Sequence, residues 1–97
     1  MPTYIVLAHY TQEGITNIKE SPSRLDVVKQ LAQSVGGTIK EFYLTTGQYD
    51  MVVIAESPDD DTMAKIMLTV GSTGAVRTET MRAFTEDEYS KIIAGLP

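Results

Sequence analysis

The sequence predicts an α+β fold: a four-stranded antiparallel sheet with two helices on one face. Two observations predict it. The chain reads strand, helix, strand, strand, helix, strand, and each half repeats one plan of strand, Ser-Pro, helix, glycine, strand. The two central strands are apolar on both faces, so the second face of the sheet should be covered as well.

The elements follow in order. Thr3 to Tyr10 is rich in β-forming apolar residues (Tyr4, Ile5, Val6, Leu7, Ala8) and reads as a strand. Thr11 to Glu20 is a polar connection in which Ile15 and Ile18 are expected to pin a short helical turn to the core. Ser21-Pro22 is expected to open a helix, with serine as cap and proline at the first helical position. Leu25, Val28, Leu31, Ala32 and Val35 give it one apolar stripe, and Gly36-Gly37 end it. Thr38 to Thr45 is the second strand. Thr46-Gly47-Gln48 is expected to turn tightly through a positive φ at Gly47, and Tyr49 to Ala55 is the third strand. Ser57-Pro58 repeats the helix-opening device, and Asp59, Asp60 and Asp61 in its first turn read as a helix cap that the helix's positive end favours. Met63, Ile66, Met67 and Val70 form the buried stripe, and Gly71 is the expected stop. Ala75 to Ala83 is the fourth strand. Thr85 and Glu88 form a capping box that starts a terminal helix carrying Tyr89, Ile92 and Ile93.

This order is the ferredoxin-like split βαβ arrangement. Right-handed crossovers then give a sheet in the order 4-1-3-2. With 97 residues the chain is read as one domain spanning 1–97.

Composition excludes several functions. The net charge is -5 and the eight basic residues are scattered, which argues against nucleic acid as a partner. The absence of cysteine excludes disulfides, thiolate nucleophiles and thiolate metal sites. No apolar run approaches a membrane span, and the first residues lack the basic start of a signal peptide. A cytoplasmic location follows by default.

With a bare second face, the runs Ile5 to Ala8 and Met51 to Ala55 would leave a large exposed apolar patch, which soluble monomers avoid. The expected remedy is a second copy packed on that face with twofold symmetry, so the chain is expected to be a homodimer or higher homo-oligomer. The alternative is that the terminal helix folds back over the same face, or reaches across to the partner.

Gly47-Gln48-Tyr49-Asp50 matches a Gly-x-Tyr-Asp signature, and with it the chain resembles the bacterial and archaeal GYD domain family. The likeness continues through Thr11 to Ile15, Ser21 to Leu25, Glu56 to Asp60, and Val76 to Thr80 followed by Arg82 to Thr85. Tyr10-Thr11 stands where the family pattern resembles Trp-Thr. The resemblance implies a ferredoxin-like subunit of the dimeric α+β barrel type, with two sheets packed face to face. It implies no particular activity.

The strand order places the end of the first strand beside the starts of the third and fourth. That gathers His9, Tyr10, Tyr49, Asp50 and Arg77 at one end of the sheet, with the Thr11–Gly14 and Gly71–Gly74 loops closing over it. One reading is a site for a small anionic metabolite between sheet and helices or at the barrel mouth. His9 would be a base oriented by Asp50, Arg77 would hold the anion, and Tyr10 and Tyr49 would be walls. The structural readings stand beside it: His9 hydrogen-bonded at a strand end, Asp50 as a turn residue or a partner of Arg77, Tyr49 packed in an interface. A lone histidine without a second ligand pattern predicts no metal, and no cofactor motif or phosphate loop is present. The second function reading is a non-catalytic interaction or assembly module. Lys40, Glu41, Arg77 and Glu79 then serve to blunt the two edge strands or to pair across subunits.

Overall fold

The structure is a computed structural model that describes residues 1–97. Four strands, β1 (Thr3–Tyr10), β2 (Thr38–Leu44), β3 (Met51–Glu56) and β4 (Val76–Ala83), form one antiparallel sheet in the order β2-β3-β1-β4. The helices are α1 (Gln12–Thr16), α2 (Ser21–Ser34), α3 (Asp60–Ser72) and α4 (Glu86–Ala94), with a 3₁₀ turn at Ile18–Glu20 before α2. The element order and the sheet order are those the sequence predicts. No helix is long and apolar enough to cross a membrane.

Strand alternation sorts the side chains. Tyr4, Val6 and Ala8 of β1 pair in register with Ala55, Val53 and Met51 of β3 and face the helices. With Met63 of α3, Tyr4, Val6 and Ala55 make one buried cluster; Ala32 of α2 packs with Ile66 and Val70 of α3 in a second. The intervening residues Ile5, Leu7, Val52 and Ile54 point to the other face and are only half-buried. In β2 the register slips between Ile39 and Glu41, leaving Lys40 as an extra residue whose ammonium lies 3.8 Å from Glu56.

The helix starts differ from the Ser-Pro reading. Helix α2 already includes Ser21, because the 3₁₀ turn feeds straight into it and Glu20 in helical geometry occupies the cap position without a side-chain bond. Helix α3 is capped by Asp59, whose carboxylate accepts the Thr62 amide at 2.8 Å. Ser57 is instead fully buried, and its hydroxyl donates to the Asp59 carbonyl at 3.0 Å. Aspartate caps at least as well as serine, so the acidic run supplies the cap itself.

The glycine expectations divide similarly. Gly36 takes a φ of 85° and ends α2. Gly47 does not take a positive φ; six residues, Thr45 to Asp50, span the β2–β3 connection, and their length removes the need for it. Gly71 lies inside α3, which continues to Ser72, and the left-handed residue is Gly74 at φ 81°. Ile15 and Ile18 are exposed and do not pin the connection after β1. Gly14 does: a Cβ there would lie 1.9 Å from the Ala75 carbonyl oxygen, so only glycine allows α1 to rest on the start of β4.

The capping box of α4 forms as expected. The Glu88 amide donates to the Thr85 hydroxyl at 3.2 Å, and the Thr85 amide to the Glu88 carboxylate at 3.0 Å. This helix does not fold back over the open face of the sheet. Its apolar residues Tyr89, Ile92 and Ile93 stay 58, 46 and 47% exposed, which settles that point for the single chain.

Candidate functional site

At the end of the sheet where β1 stops, the β1–β3 ladder closes at Ala8 opposite Met51. Beyond it, the Asp50 amide donates to the Ala8 carbonyl at 2.9 Å. The Asp50 carboxylate then accepts the Tyr10 amide at 2.9 Å, taking the place of a main-chain acceptor. The Asp50 carbonyl accepts the Thr45 amide at 2.8 Å, which closes the preceding loop. One residue thereby ties together β1, β3 and the β2–β3 connection.

Tyr49 extends the same device across the open face. Its ring stacks on His9, with centroids 4.8 Å apart and planes at 29°. Its hydroxyl donates to the Glu79 carboxylate of β4 at 2.8 Å. That bond, with the charge of Glu79, pushes the Tyr49 hydroxyl above its ordinary pKa. His9 Nδ1 lies 3.9 Å from Asp50 Oδ2, too long for a hydrogen bond, and both side chains are close to half exposed. Arg77 is the cross-strand neighbour of His9 on β4 and forms no ion pair.

The five residues singled out in the sequence therefore divide between two faces. His9, Tyr49 and Arg77 lie on the open face, with Asp50 at its rim. Tyr10 is one residue further along β1 and points to the helices, where its hydroxyl lies 3.2 Å from the Ser21 hydroxyl. The two flanking loops meet as expected: the Thr11 hydroxyl donates to the Gly74 carbonyl, and the Thr11 amide to the Ala75 carbonyl at 3.0 Å. Sequence reasoning placed Glu79 only among edge charges. Its spacing of two from Arg77 was the available signal, since such residues share a face of a strand.

On the helix side lies a cavity of about 290 Å³, lined mainly by apolar side chains of the sheet, α2 and α3, including Ala8 and Met51. Arg24 of α2 is its one charged lining residue. Ala8 and Met51 immediately neighbour His9 and Asp50 in sequence, so the cavity and the polar cluster occupy opposite sides of one strand end.

A family model of the GYD domain matches residues 4–93. The chain belongs to the GYD domain family. The signature residues of this GYD chain are thus the pair just described, with Tyr49 spanning to β4 and Asp50 closing the β1–β3 ladder. The GYD chain is similar to the glutamine synthetase and cystathionine beta-lyase binding protein of Thermus thermophilus, 37% identical over 84 residues, which are 86% of this chain and 88% of that one. Among solved structures it resembles TTHA0845, also from Thermus thermophilus, at a TM-score of 0.56 and 24% identity over 88% of this chain and 95% of that one. It also resembles the feast or famine regulatory protein from M. tuberculosis complexed with L-methionine, at a TM-score of 0.67 and 13% identity over 88% of this chain but 51% of that one. At these identities the two structures show a shared fold.

Proposed function

We propose that this GYD chain is a non-catalytic protein-binding module that works as a pair, two copies burying the open faces of their sheets against each other. The observation that carries the reading is that face. Ile5, Leu7, Val52 and Ile54 lie at its centre, with Met81 and Tyr43 41 and 53% exposed beside them, and neither the helix layer nor α4 covers it. The occupant is a second copy because the surrounding charges have both signs. Arg77 shares that face with Glu79 and Glu41, a pattern the same patch can satisfy in twofold symmetry. Helix α4, with its apolar residues free, extends the contact across the partner.

Binding to other proteins draws support from the Thermus relative, which is named for binding glutamine synthetase and cystathionine beta-lyase. The test is to mix the chain with glutamine synthetase purified from the same organism and follow the mixture by size-exclusion chromatography with light scattering. Co-elution in a defined ratio supports the reading; independent elution at concentrations where the chain is fully paired contradicts it.

A second reading rests on one observation: His9 and Arg77 sit side by side on β1 and β4, and Arg77 has no carboxylate partner. A guanidinium without a carboxylate partner, beside an imidazole able to donate an N–H, at the rim of the paired sheets suits a small anionic metabolite. A thermal-shift screen of small organic anions against the wild type and Arg77→Gln tests it, because a ligand selective for the native state raises the melting point only where its anchor is present.

A further inference from the structure

Pairing of the open faces leaves the outer edge of β4 free. An edge strand presents a row of unpaired N–H and C=O groups, which proteins usually blunt. The opposite edge, β2, is blunted: its register slips at Lys40, whose ammonium lies 3.8 Å from Glu56. Strand β4 carries no such device. All eight of its residues stay in register with β1, with no bulge and no proline. Apart from the Ala83 carbonyl, which accepts from the Arg82 guanidinium, the β4 backbone bonds only to β1. A regular outward row from Val76 to Met81 is left for another strand.

The side chains beside that row name the occupant. Arg77 and Glu79, two apart, share the open face of β4. Arg77 has no carboxylate partner within its own chain. Antiparallel pairing of two copies of β4 about Thr78 sets each Arg77 opposite the partner's Glu79, and the two Thr78 side chains opposite each other on the helix side. Other twofold registers fit less well. Centring on Arg77 or Glu79 brings like charges together. Centring on Thr80 uses the Ala83 end of the strand, where Arg82 already holds the carbonyl. Leu68 of α3 lines the groove beside Thr78 and Thr80 and is 75% exposed, so a second copy at this edge covers it as well.

We propose that β4 pairs edge to edge with β4 of a second copy, antiparallel about Thr78, joining two four-stranded sheets into one. The paired stretch, Val76 to Thr80, is short, so this contact forms at higher concentration than the face pair. It does not depend on that pair. Face-to-face packing leaves each Thr78 on the outer, helix side of its sheet, away from its counterpart.

Cross-linking of the full chain tests the register. The chain has no cysteine, so Thr78→Cys introduces a single thiol at the twofold axis. Directly opposed residues have Cα atoms about 4.5–5.5 Å apart, within the span of a disulfide. With diamide as oxidant at high micromolar concentration, Thr78→Cys is expected to form a linked dimer about tenfold faster than Thr80→Cys, which the register sets opposite Val76. Adding Arg77→Glu to Thr78→Cys places a carboxylate opposite the partner's Glu79 and should slow linking about fivefold. Adding Glu79→Arg as well should restore the rate. Arg77 and Glu79 are exposed, and an unchanged circular dichroism spectrum checks that each variant folds. Linking of Thr78→Cys no faster than that of Thr80→Cys would overturn the proposal, and so would a charge swap that leaves linking slow.

Discussion

The Asp50 carboxylate accepts the Tyr10 amide at 2.9 Å, so a side chain completes the hydrogen bonding of β1 where its pairing with β3 has ended. Removing the acceptor leaves a part-buried amide unpaired, which costs about 1–3 kcal/mol. Asp50→Ala is therefore expected to lower stability in urea by that amount. Asp50→Asn keeps an acceptor oxygen in place and should lose less than half as much. Equal losses in the two variants would show that the charge, rather than the hydrogen bond, is what the site needs.

Gly14 and Gly71 make opposite predictions from the same substitution. A Cβ at Gly14 meets the Ala75 carbonyl oxygen at 1.9 Å, and backbone on both sides can give only by moving α1 off β4. Gly14→Ala should cost about 2–3 kcal/mol. Gly71 lies within α3 with open space around it, so Gly71→Ala should stabilise by about 0.5–1 kcal/mol through helix propensity. Thermal melts of both variants under one condition check the pair.

Tyr4 links stability to alkaline pH. Burial, then its hydrogen bond to Asp60, pushes its hydroxyl from 10.0 up to about 12. The folded state thus holds a proton that the unfolded chain releases near its ordinary value. The stabilisation is complete below pH 10 and is lost as the pH rises from 10 through 12. Tyr4→Phe should be less stable than the wild type at pH 8, by about 1 kcal/mol for the lost hydrogen bond. The gap should narrow steadily as the pH is raised. Tyr43 and Tyr49, raised by their bonds to Glu41 and Glu79, are present in both proteins, so the difference isolates Tyr4. A gap that stays constant to pH 12 would refute the assignment.

The sequence carried the architecture because its signals were periodic. The helical spacing of Met63, Ile66 and Val70 and the plan repeated in the two halves are such signals, and the strand order follows from the connections. It carried the position of the site for the same reason. It carried less about local geometry. Serine and aspartate compete for a helix cap, and nothing in Ser57-Pro58-Asp59 says which wins until Ser57 is seen to be buried. Which glycine turns left-handed depends on loop length, so Gly74 rather than Gly47 could not be chosen from composition. The division of Tyr10 from His9 was legible by alternation alone. The cavity was not, because a void is a property of how α2 sits on the sheet and no residue type marks it.

The pairing of open sheet faces is measured directly by sedimentation equilibrium at micromolar concentration. The wild type should sediment at twice its chain mass. Leu7→Asp, which sets a charge in the middle of that face, should sediment as a single chain with an unchanged circular dichroism spectrum. A wild-type protein that remains a well-folded single chain under these conditions would contradict the claim.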